Sequence, residues 1–164
     1  MAKKIISKHN NKQVNNKQVN NKKSIINRIG FTCGSFDLLH AGHAIMLKEC
    51  KAYCDYLIVG LQTDPSVDRE YKNKPVQALE ERKIMLESIK WVDKIYTYNT
   101  EKDLYSLLQT LSPDIRIVGS DWKGKEFTGH DLPIKVVFNT RDHAYSSSSL
   151  RERVYNAELD RLKT

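Results

Sequence analysis

The sequence feature that most constrains the fold is a nearly continuous apolar run, YLIVGL at 56–61. A strand buried on both faces has this composition, and such strands occur in parallel sheets that helices cover on both sides. Further strands are predicted at 25–33, 94–98, 115–118 and 134–138, and helices at 41–54, 78–89, 101–111 and 147–162. Because strands and helices alternate, the chain predicts right-handed βαβ units. We therefore expect an α/β protein with an open parallel sheet and helices on both faces.

Length and composition predict a single globular domain. The chain has 164 residues, of which 40% are hydrophobic and 29% charged, and this is ordinary for a folded domain with its own core. No apolar run is long enough to span a bilayer, and no apolar stretch follows the N-terminal lysines as it would in a signal peptide. The three cysteines lack the paired spacing of a disulfide framework or a zinc knuckle. We expect a cytoplasmic protein with reduced cysteines and no membrane partner.

The net charge of +7 is confined to the N-terminal segment. Residues 1–28 contain eight basic side chains and no acid, so the rest of the chain has 19 basic against 20 acidic residues. A basic groove for nucleic acid is therefore not expected. The repeat NNKQVNNKQVNNKKS at 10–24 has almost no apolar content, which predicts a disordered tail at 1–24 before a folded domain at 25–164. Electrostatic tethering to an acidic surface is the alternative role for this tail.

The loop GSFDLLHAGH at 34–43 joins the first predicted strand to the first predicted helix. In an open parallel sheet, ligands bind beyond the carboxyl ends of the strands, where this loop is expected to lie. Gly34 and Gly42 let a ligand approach the backbone, and the N-terminus of the helix favours an anion. His40 and His43, three residues apart, face one way and can donate hydrogen bonds to phosphate oxygens. The loop therefore predicts an anion site.

The other loops at this edge add cations, hydroxyl groups and carboxylates. The basic side chains are Lys72, Lys74 and Arg141. Serines at 146–149 open the last helix, where they can cap it or cradle a phosphate. The carboxylates, which suit a magnesium ion, are Asp37, Asp64 and Asp121. Because phosphoryl and nucleotidyl transfer depend mainly on positioning and charge neutralisation, these residue types point to that chemistry.

Other interpretations of the two histidines stay open. A zinc site needs further ligands, and Asp37 is a weak candidate to complete a site with His40 and His43. A structural role is the default for a single histidine, but less so for a pair that flanks a glycine at a strand–helix turn. The phosphate loop GxxxxGK[ST] and the dinucleotide fingerprint GxGxxG are both absent from the sequence. A nucleotide-binding module without turnover is the remaining alternative.

The segment HAGH at 40–43, preceded by GSFDLL, resembles the HxGH signature of the cytidylyltransferase-like nucleotidyltransferases. Further segments within about 28–155 are similar to bacterial glycerol-3-phosphate cytidylyltransferases: CDYLIVGLQTD, EERKIMLESIKWVDKIY, IRIVGSDWKGKEF and TRDHAYSSSSL. The stretch KPVQALEER at 74–82 resembles the adenylyltransferase domain that makes ADP-heptose. The resemblance implies a Rossmann-like sheet, a homodimer and Mg²⁺-dependent chemistry, in which an acceptor phosphate attacks the α-phosphate of a nucleoside triphosphate.

The resemblance also implies roles for individual residues. His40 and His43 would hold the triphosphate, and its outer phosphates would be gripped by Arg141, Ser146 and Ser147. Either Lys72 or Lys74 would be the phosphate lysine. The residues expected beside the nucleotide are Gly34, Ser35, Phe36, Gly42, Asp121 and Trp122. Those expected near the acceptor are Asp64 and Lys90, and those expected to bind Mg²⁺ are Asp37 and Asp121.

Two departures from the family pattern leave the acceptor open. The usual RTxGIST-like element reads RDHAYSS, which brings in Asp142 and His143, and Lys90 stands where the glycerol-3-phosphate enzymes have an arginine. The primary prediction is an enzyme that transfers CMP from CTP to a small phosphorylated acceptor such as glycerol 3-phosphate. The alternative is an adenylyltransferase that uses ATP on a sugar phosphate or a cofactor precursor.

Overall fold

The structure is a computed structural model that describes residues 28–163. Within these residues the strands are β1 (Ile29–Gly34), β2 (Tyr56–Gln62), β3 (Lys94–Tyr98), β4 (Ile115–Val118) and β5 (Lys135–Phe138). The α-helices are α1 (Ala41–Ala52), α2 (Leu79–Glu87), α3 (Glu101–Leu111) and α4 (Ser147–Lys163), and a short 3₁₀ helix covers Ser120–Trp122. The predicted tail at 1–24 and the first predicted strand residues, 25–27, lie outside the described residues.

The strands form one sheet in the order β3–β2–β1–β4–β5, and every neighbouring pair is parallel. The chain builds outwards from β1 through β2 and β3, and then returns to the other side of β1 to add β4 and β5. The predicted α/β, Rossmann-like open parallel sheet is confirmed. Sheets of this kind bind ligands where the winding direction reverses, which here is between the carboxyl ends of β1 and β4.

Apolar side chains pack on both faces of the sheet, and this explains the continuous apolar run in β2. The face that meets α1 and α2 is built from Leu47, Leu57, Val59, Leu61 and Leu86. The face that meets α3 is built from Phe31, Ile58, Leu104 and Leu108. Burial of these side chains, at roughly 25 cal/mol per Å² of apolar surface, is the main force that holds the layers together.

The predicted element boundaries agree with the structure to within about two residues in most of the chain. Helix α1 ends at Ala52 instead of 54, and α2 covers Leu79–Glu87 instead of 78–89. On α2, Leu86 is buried whereas Met85, predicted on the apolar face, is 40% exposed. None of the described helices is both long enough and apolar enough to cross a membrane.

Arg82, on the buried face of α2, ties together three segments at the carboxyl edge of the sheet. Its guanidinium donates to the carbonyl oxygens of Ser35, Gln62 and Thr63 at 2.7, 2.7 and 2.6 Å. Its Nε donates to the carbonyl oxygen of Gln77 at 3.2 Å. Only 2% of the residue is exposed. A charged donor therefore satisfies backbone carbonyl groups that the helices and strands leave without partners.

Replacement of Arg82 with methionine should lower the free energy of unfolding by about 2–4 kcal/mol, because buried carbonyl groups lose their charged donor. Urea denaturation followed by circular dichroism measures the change. Lys83→Met is the matched control, since the Lys83 side chain lies on the same helix and is 41% exposed. This control should stay within about 0.5 kcal/mol of the wild type. Equal stability of the two variants would contradict the role given to Arg82.

Candidate active site

Two adjoining cavities open at the carboxyl edge of the sheet. The smaller cavity, of about 310 Å³, lies between the start of α1, the loop after β5 and the start of α4. The larger cavity, of about 900 Å³, extends across the carboxyl ends of β1 to β4. The walls of both include His43, Met46, Gly119 and Asp121. The two cavities together occupy the crevice that the sheet topology predicts for a ligand.

His40 and His43 cap the first turn of α1 reciprocally. His40 Nδ1 accepts a hydrogen bond from the N–H of Gly42 at 3.1 Å, and His43 Nδ1 accepts one from the N–H of His40 at 3.4 Å. The two ring centroids are 4.0 Å apart. Because each Nδ1 is an acceptor, each neutral ring carries its proton on Nε2. The cap therefore leaves both histidines with an Nε2–H donor, and a ligand at His40 would replace the contact of this donor with Ser147 Oγ at 3.3 Å.

Both imidazole rings are held in the neutral form at pH 7. Burial is the largest cause and, with the charge of His40 added, it lowers the pKa of His43 from 6.5 to about 4. The pKa of His40 is also lowered, first by burial and then by the positive charges of His143 and Arg141. A phosphate would reverse part of this effect, because a nearby negative charge favours the protonated ring. The pair can therefore donate as neutral groups and gain positive charge when an anion arrives.

The N-terminus of α4 faces the smaller cavity opposite that of α1. Ser146 Oγ accepts from the N–H of Ser149 at 3.1 Å and so caps α4. Ser147 Oγ donates to the carbonyl oxygen of Asp37 at 3.2 Å and lies 3.3 Å from His40 Nε2. Each helix N-terminus presents unpaired N–H groups and the positive end of its dipole. Their convergence makes the smaller cavity suited to a phosphate chain.

Arg141 lines the smaller cavity in a left-handed backbone conformation, with φ of 42°. Its side chain is 46% exposed and lies 3.6 Å from Asp121 Oδ1. Phe36 and Leu38 also adopt left-handed conformations, with φ of 48° and 50°. Such conformations cost roughly 1–3 kcal/mol each in residues with side chains, and they cluster at ligand-binding sites. Because an exposed ion pair is weak, Arg141 can exchange Asp121 for a phosphate at little cost.

Gly42 is packed so closely that a larger residue would displace its neighbours. A Cβ at this position would lie 2.8 Å from Cε1 of His143 and 2.9 Å from Cε1 of His40. His143, one of the departures from the family pattern, therefore covers the N-terminus of α1. Its Nδ1 is buried and has no hydrogen-bond partner within the described part of the chain. Asp142, which belongs to the same departure, is exposed.

The predicted nucleotide-binding residues divide between the two cavities. The smaller cavity is lined by His40, Gly42, Arg141, Ser146 and Ser147. The larger cavity is lined by Gly34, Ser35, Phe36, Lys72 and Trp122. The structure therefore brings most of the predicted set to one edge of the sheet, as expected for loops that follow parallel strands.

Asp37 was predicted to bind Mg²⁺, but its carboxylate is bonded to other parts of the chain. Its Oδ1 accepts from the N–H groups of Val76 and Gln77 at 3.0 and 2.9 Å, and its Oδ2 is paired with Arg151 of α4. Only 4% of the residue is exposed. Because both carboxylate oxygens already bind donors of the chain, the geometry favours a structural role over metal binding.

The remaining carboxylates fit a weakly held Mg²⁺ better than a dedicated metal site. Among residues 28–163, no group of three or more His, Cys, Asp or Glu side chains is arranged to hold a metal ion. Mg²⁺ commonly keeps several waters and binds through one or two carboxylates together with substrate phosphates. Asp121, whose side chain is 56% exposed in the wall of both cavities, fits this pattern.

The loop after β2 contributes less directly than predicted. Lys72 lines the larger cavity, whereas Lys74 lines neither cavity, and its backbone carbonyl accepts from Arg151 of α4 at 3.4 Å. Asp64 Oδ1 accepts from the N–H and the hydroxyl of Ser66 at 2.9 and 2.6 Å. Of the two candidate phosphate lysines, the geometry therefore favours Lys72.

Lys90 lies away from the other predicted site residues. It precedes β3, and its Nζ is 5.3 Å from the ring centroid of Trp91. The residues just before β3 lie at its amino end, as shown by the hydrogen bond from the N–H of Asp93 to the carbonyl oxygen of Leu57 near the start of β2. This is the edge of the sheet opposite the cavities, so the geometry does not support the prediction that Lys90 contacts the acceptor.

Two buried arginines, Arg82 and Arg116, have no predicted site role although they shape the site. Arg116 belongs to β4, is 4% exposed and lines the larger cavity. The sequence does mark both residues, because each is a charged residue where the pattern predicts an apolar one. Arg116 interrupts the apolar strand IRIV, and Arg82 lies on the apolar face of α2. Charged side chains are almost never fully buried unless they are bonded or paired.

Comparison with known proteins places these observations in a family. The model of the cytidylyltransferase-like family matches residues 31–153. The bifunctional protein HldE of Helicobacter pylori (strain HPAG1) is 35% identical over 134 residues, which is 81% of this chain and 29% of HldE. HldE of Wolinella succinogenes is 40% identical over 110 residues, which is 66% of this chain and 23% of HldE. The chain thus spans less than a third of the length of these relatives.

Solved structures share the fold of this chain. A lipopolysaccharide core biosynthesis protein from Thermoplasma volcanium GSS1 has a TM-score of 0.58 at 27% identity, over 69% of this chain and 96% of its own. Pantoate-β-alanine ligase from Francisella tularensis, with a TM-score of 0.50 at 22% identity over 71% of this chain and 60% of its own, shares the fold alone. Because the family model covers most of the described residues and includes the histidine cap, this chain belongs to the cytidylyltransferase-like family of nucleotidyltransferases.

Proposed function

We propose that the protein transfers the adenylyl group of ATP to the phosphate of a small sugar phosphate. An oxygen of the acceptor phosphate forms a bond to the α-phosphorus of ATP, the bond from that phosphorus to the bridging oxygen breaks, and pyrophosphate leaves. The observation that carries this proposal is the reciprocal cap of His40 and His43. The cap leaves the proton of each neutral ring on Nε2, at the place where two helix N-termini converge.

The choice of ATP over CTP rests on the relatives and on one segment. The HldE relatives favour the adenylyltransferase alternative over CMP transfer to glycerol 3-phosphate. The segment at 74–82, which resembles the domain that makes ADP-heptose, also contacts the histidine loop. Gln77 Oε1 accepts from the N–H of Leu38 at 2.7 Å, and the N–H of Gln77 donates to Asp37. The segment at 74–82 is therefore hydrogen-bonded directly to the loop that leads to His40 and His43.

The triphosphate fits the smaller cavity, with its outer phosphates at the N-termini of α1 and α4 and beside Arg141. His40 and His43 then donate to oxygens of the triphosphate at the bond that breaks, where negative charge develops. The donors are fixed before the reaction by their own hydrogen bonds, so little reorganisation is needed as charge moves. Removal of one donor of this kind typically lowers kcat by about 10²–10³-fold.

Mg²⁺ is part of the proposal because the reaction gathers four phosphates, three of ATP and one of the acceptor, in a small volume. Asp121 is the residue that would hold the ion together with the phosphates. When bound, the ion neutralises phosphate charge and polarises the bond to the leaving group. The homodimer, the cytoplasmic location and the absence of a nucleic-acid partner stay predictions.

The proposal predicts pyrophosphate release in a coupled assay with Mg²⁺, ATP and a sugar 1-phosphate such as heptose 1-phosphate. Release with CTP and glycerol 3-phosphate should be at least about tenfold slower. His40→Asn tests the mechanism, since asparagine is a good N-cap but its side chain is too short to replace Nε2–H. This variant should keep its thermal stability and lose about 10²–10³-fold in kcat. Faster release with CTP, or full activity of H40N, would contradict the proposal.

The neutral state of His43 predicts a loss of stability in acid. The unfolded ring takes a proton near pH 6.5, whereas the folded ring has a pKa of about 4, so the free energy of unfolding falls as the pH drops below about 6.5. Between pH 8 and pH 5 this loss amounts to at most about 2 kcal/mol. Urea denaturation of the wild type and of His43→Asn at both pH values isolates the contribution of His43 to the pH dependence of the free energy of unfolding. The variant should lose less stability than the wild type, and equal losses would show that His43 is not held neutral.

A further inference from the structure

Arg116 is a buried cation in the wall of the larger cavity, outside the smaller cavity where the triphosphate is placed. It lies in β4 opposite Phe31 of β1, and only 4% of it is exposed. Its guanidinium packs 5.0 Å from the ring centroid of Phe127 and donates from one nitrogen to the carbonyl oxygen of Thr128. These contacts hold the guanidinium in place but do not neutralise its charge.

The hydrogen bonds and charge of Arg116 are incompletely satisfied. Its Nε is buried and has no partner, and across residues 28–163 no carboxylate lies within 4.0 Å of its guanidinium. The thiol of Cys33 lies beside it; burial raises the pKa of this thiol, and the charge of Arg116 opposes that rise. Because a buried charge without a counter-ion is strongly unfavourable, an anion is the partner that this arrangement lacks.

The surroundings of Arg116 add positive charge to the same wall. Arg69 also lines the larger cavity, and its buried Nε has no hydrogen-bond partner among the described residues, although Asp68 Oδ1 lies 3.9 Å away. Its Nη2 donates to Glu101 Oε1 at 3.0 Å. Asp68 and Glu101 therefore balance Arg69, and neither forms an ion pair with Arg116. The three other carboxylates of this cavity, Asp121, Glu126 and Asp131, are exposed to solvent.

We propose that the end of the larger cavity around Arg116 binds the acceptor, beside the residues predicted to contact the nucleotide, and that Arg116, assisted by Arg69, binds a second anionic group of that acceptor, a phosphate or a carboxylate remote from the attacking phosphate. This inference rests on the proposed function and narrows its substrate class. The cavity also contains His43 and Asp121, so one ligand can meet the reacting end and the arginine end together. Arginine suits this role because its planar fork matches the geometry of both anions.

Three probes that differ at a single carbon test the proposal on the full chain: glucose 1-phosphate, glucose 1,6-bisphosphate and glucuronic acid 1-phosphate. Isothermal titration calorimetry, with and without a non-hydrolysable ATP analogue and Mg²⁺, gives their affinities. At least one doubly anionic probe should bind tenfold or more tightly than glucose 1-phosphate. The bisphosphate and the glucuronate distinguish a phosphate from a carboxylate as the second group. Equal affinity for all three probes would overturn the proposal.

Variants assign the preference to Arg116. Arg116→Met should abolish the preference, and Arg116→Lys should reduce it, because a point charge replaces the fork. Arg28→Met is the matched control: Arg28 is exposed at the amino end of β1, where it donates to the carbonyl oxygen of Tyr53 at 3.2 Å, and its loss should leave the preference intact. A preference that survives in R116M, or that is undiminished in R116K if R116M does not fold, would overturn the proposal.

The same titrations distinguish a failure of the second anion site from a failure of the proposed nucleotidyl transfer. Binding of the ATP analogue, followed by pyrophosphate release with ATP and any acceptor, reports on nucleotidyl transfer. The preference for a second anion is measured without nucleotide as well. Lack of analogue binding would therefore count against the proposed function, whereas equal probe affinities beside normal analogue binding would count against the anion site alone.

Discussion

Two buried side chains of opposite charge, Arg82 and Asp37, hold the carboxyl edge of the sheet in one arrangement. Arg82 donates to backbone carbonyl groups after β1 and β2. Asp37 accepts from backbone N–H groups just before α2 and from Arg151 of α4. Since a buried charge that loses its partners costs roughly 3–5 kcal/mol, these segments are fixed to one another. The loop at 34–43 is held from both sides, and the position of the histidine cap depends on it.

That rigidity explains how the chain maintains the proposed phosphate site. Left-handed backbone at Phe36 and Leu38 turns the loop between β1 and α1 at an energetic cost, which the surrounding hydrogen bonds offset. The turn leads into the reciprocal cap, in which both histidines are neutral and fixed in one tautomer. A site with neutral donors at two helix N-termini attracts an anion without burying several positive charges beforehand. In the proposed mechanism, the histidines gain positive charge only as phosphate charge arrives, which is when stabilisation is useful to catalysis.

The fold and the phosphate loop were open to prediction because their signals are local. The alternating pattern gives the parallel sheet, and HAGH lies within one turn of the helix that it caps. The role of Asp37 was not predictable, since its partners Val76 and Gln77 are about forty residues away and no local pattern indicates that they meet. The position of Lys90 was not predictable either, since a resemblance in sequence does not say at which edge of the sheet a residue lies. The charge of Arg116 in an apolar strand was visible, but the cavity that gives it a role is formed by distant loops.

The central claim is that His40 and His43 are neutral Nε2–H donors to a bound triphosphate. The most direct measurement is NMR of ¹⁵N-labelled histidine over a range of pH, with and without a non-hydrolysable ATP analogue and Mg²⁺. The account predicts that both rings are neutral with the proton on Nε2 in the unliganded protein at pH 7. It also predicts that the analogue raises the pKa of both rings and shifts their Nε2 resonances. Rings already protonated without nucleotide, or resonances unchanged by saturating analogue, would contradict it.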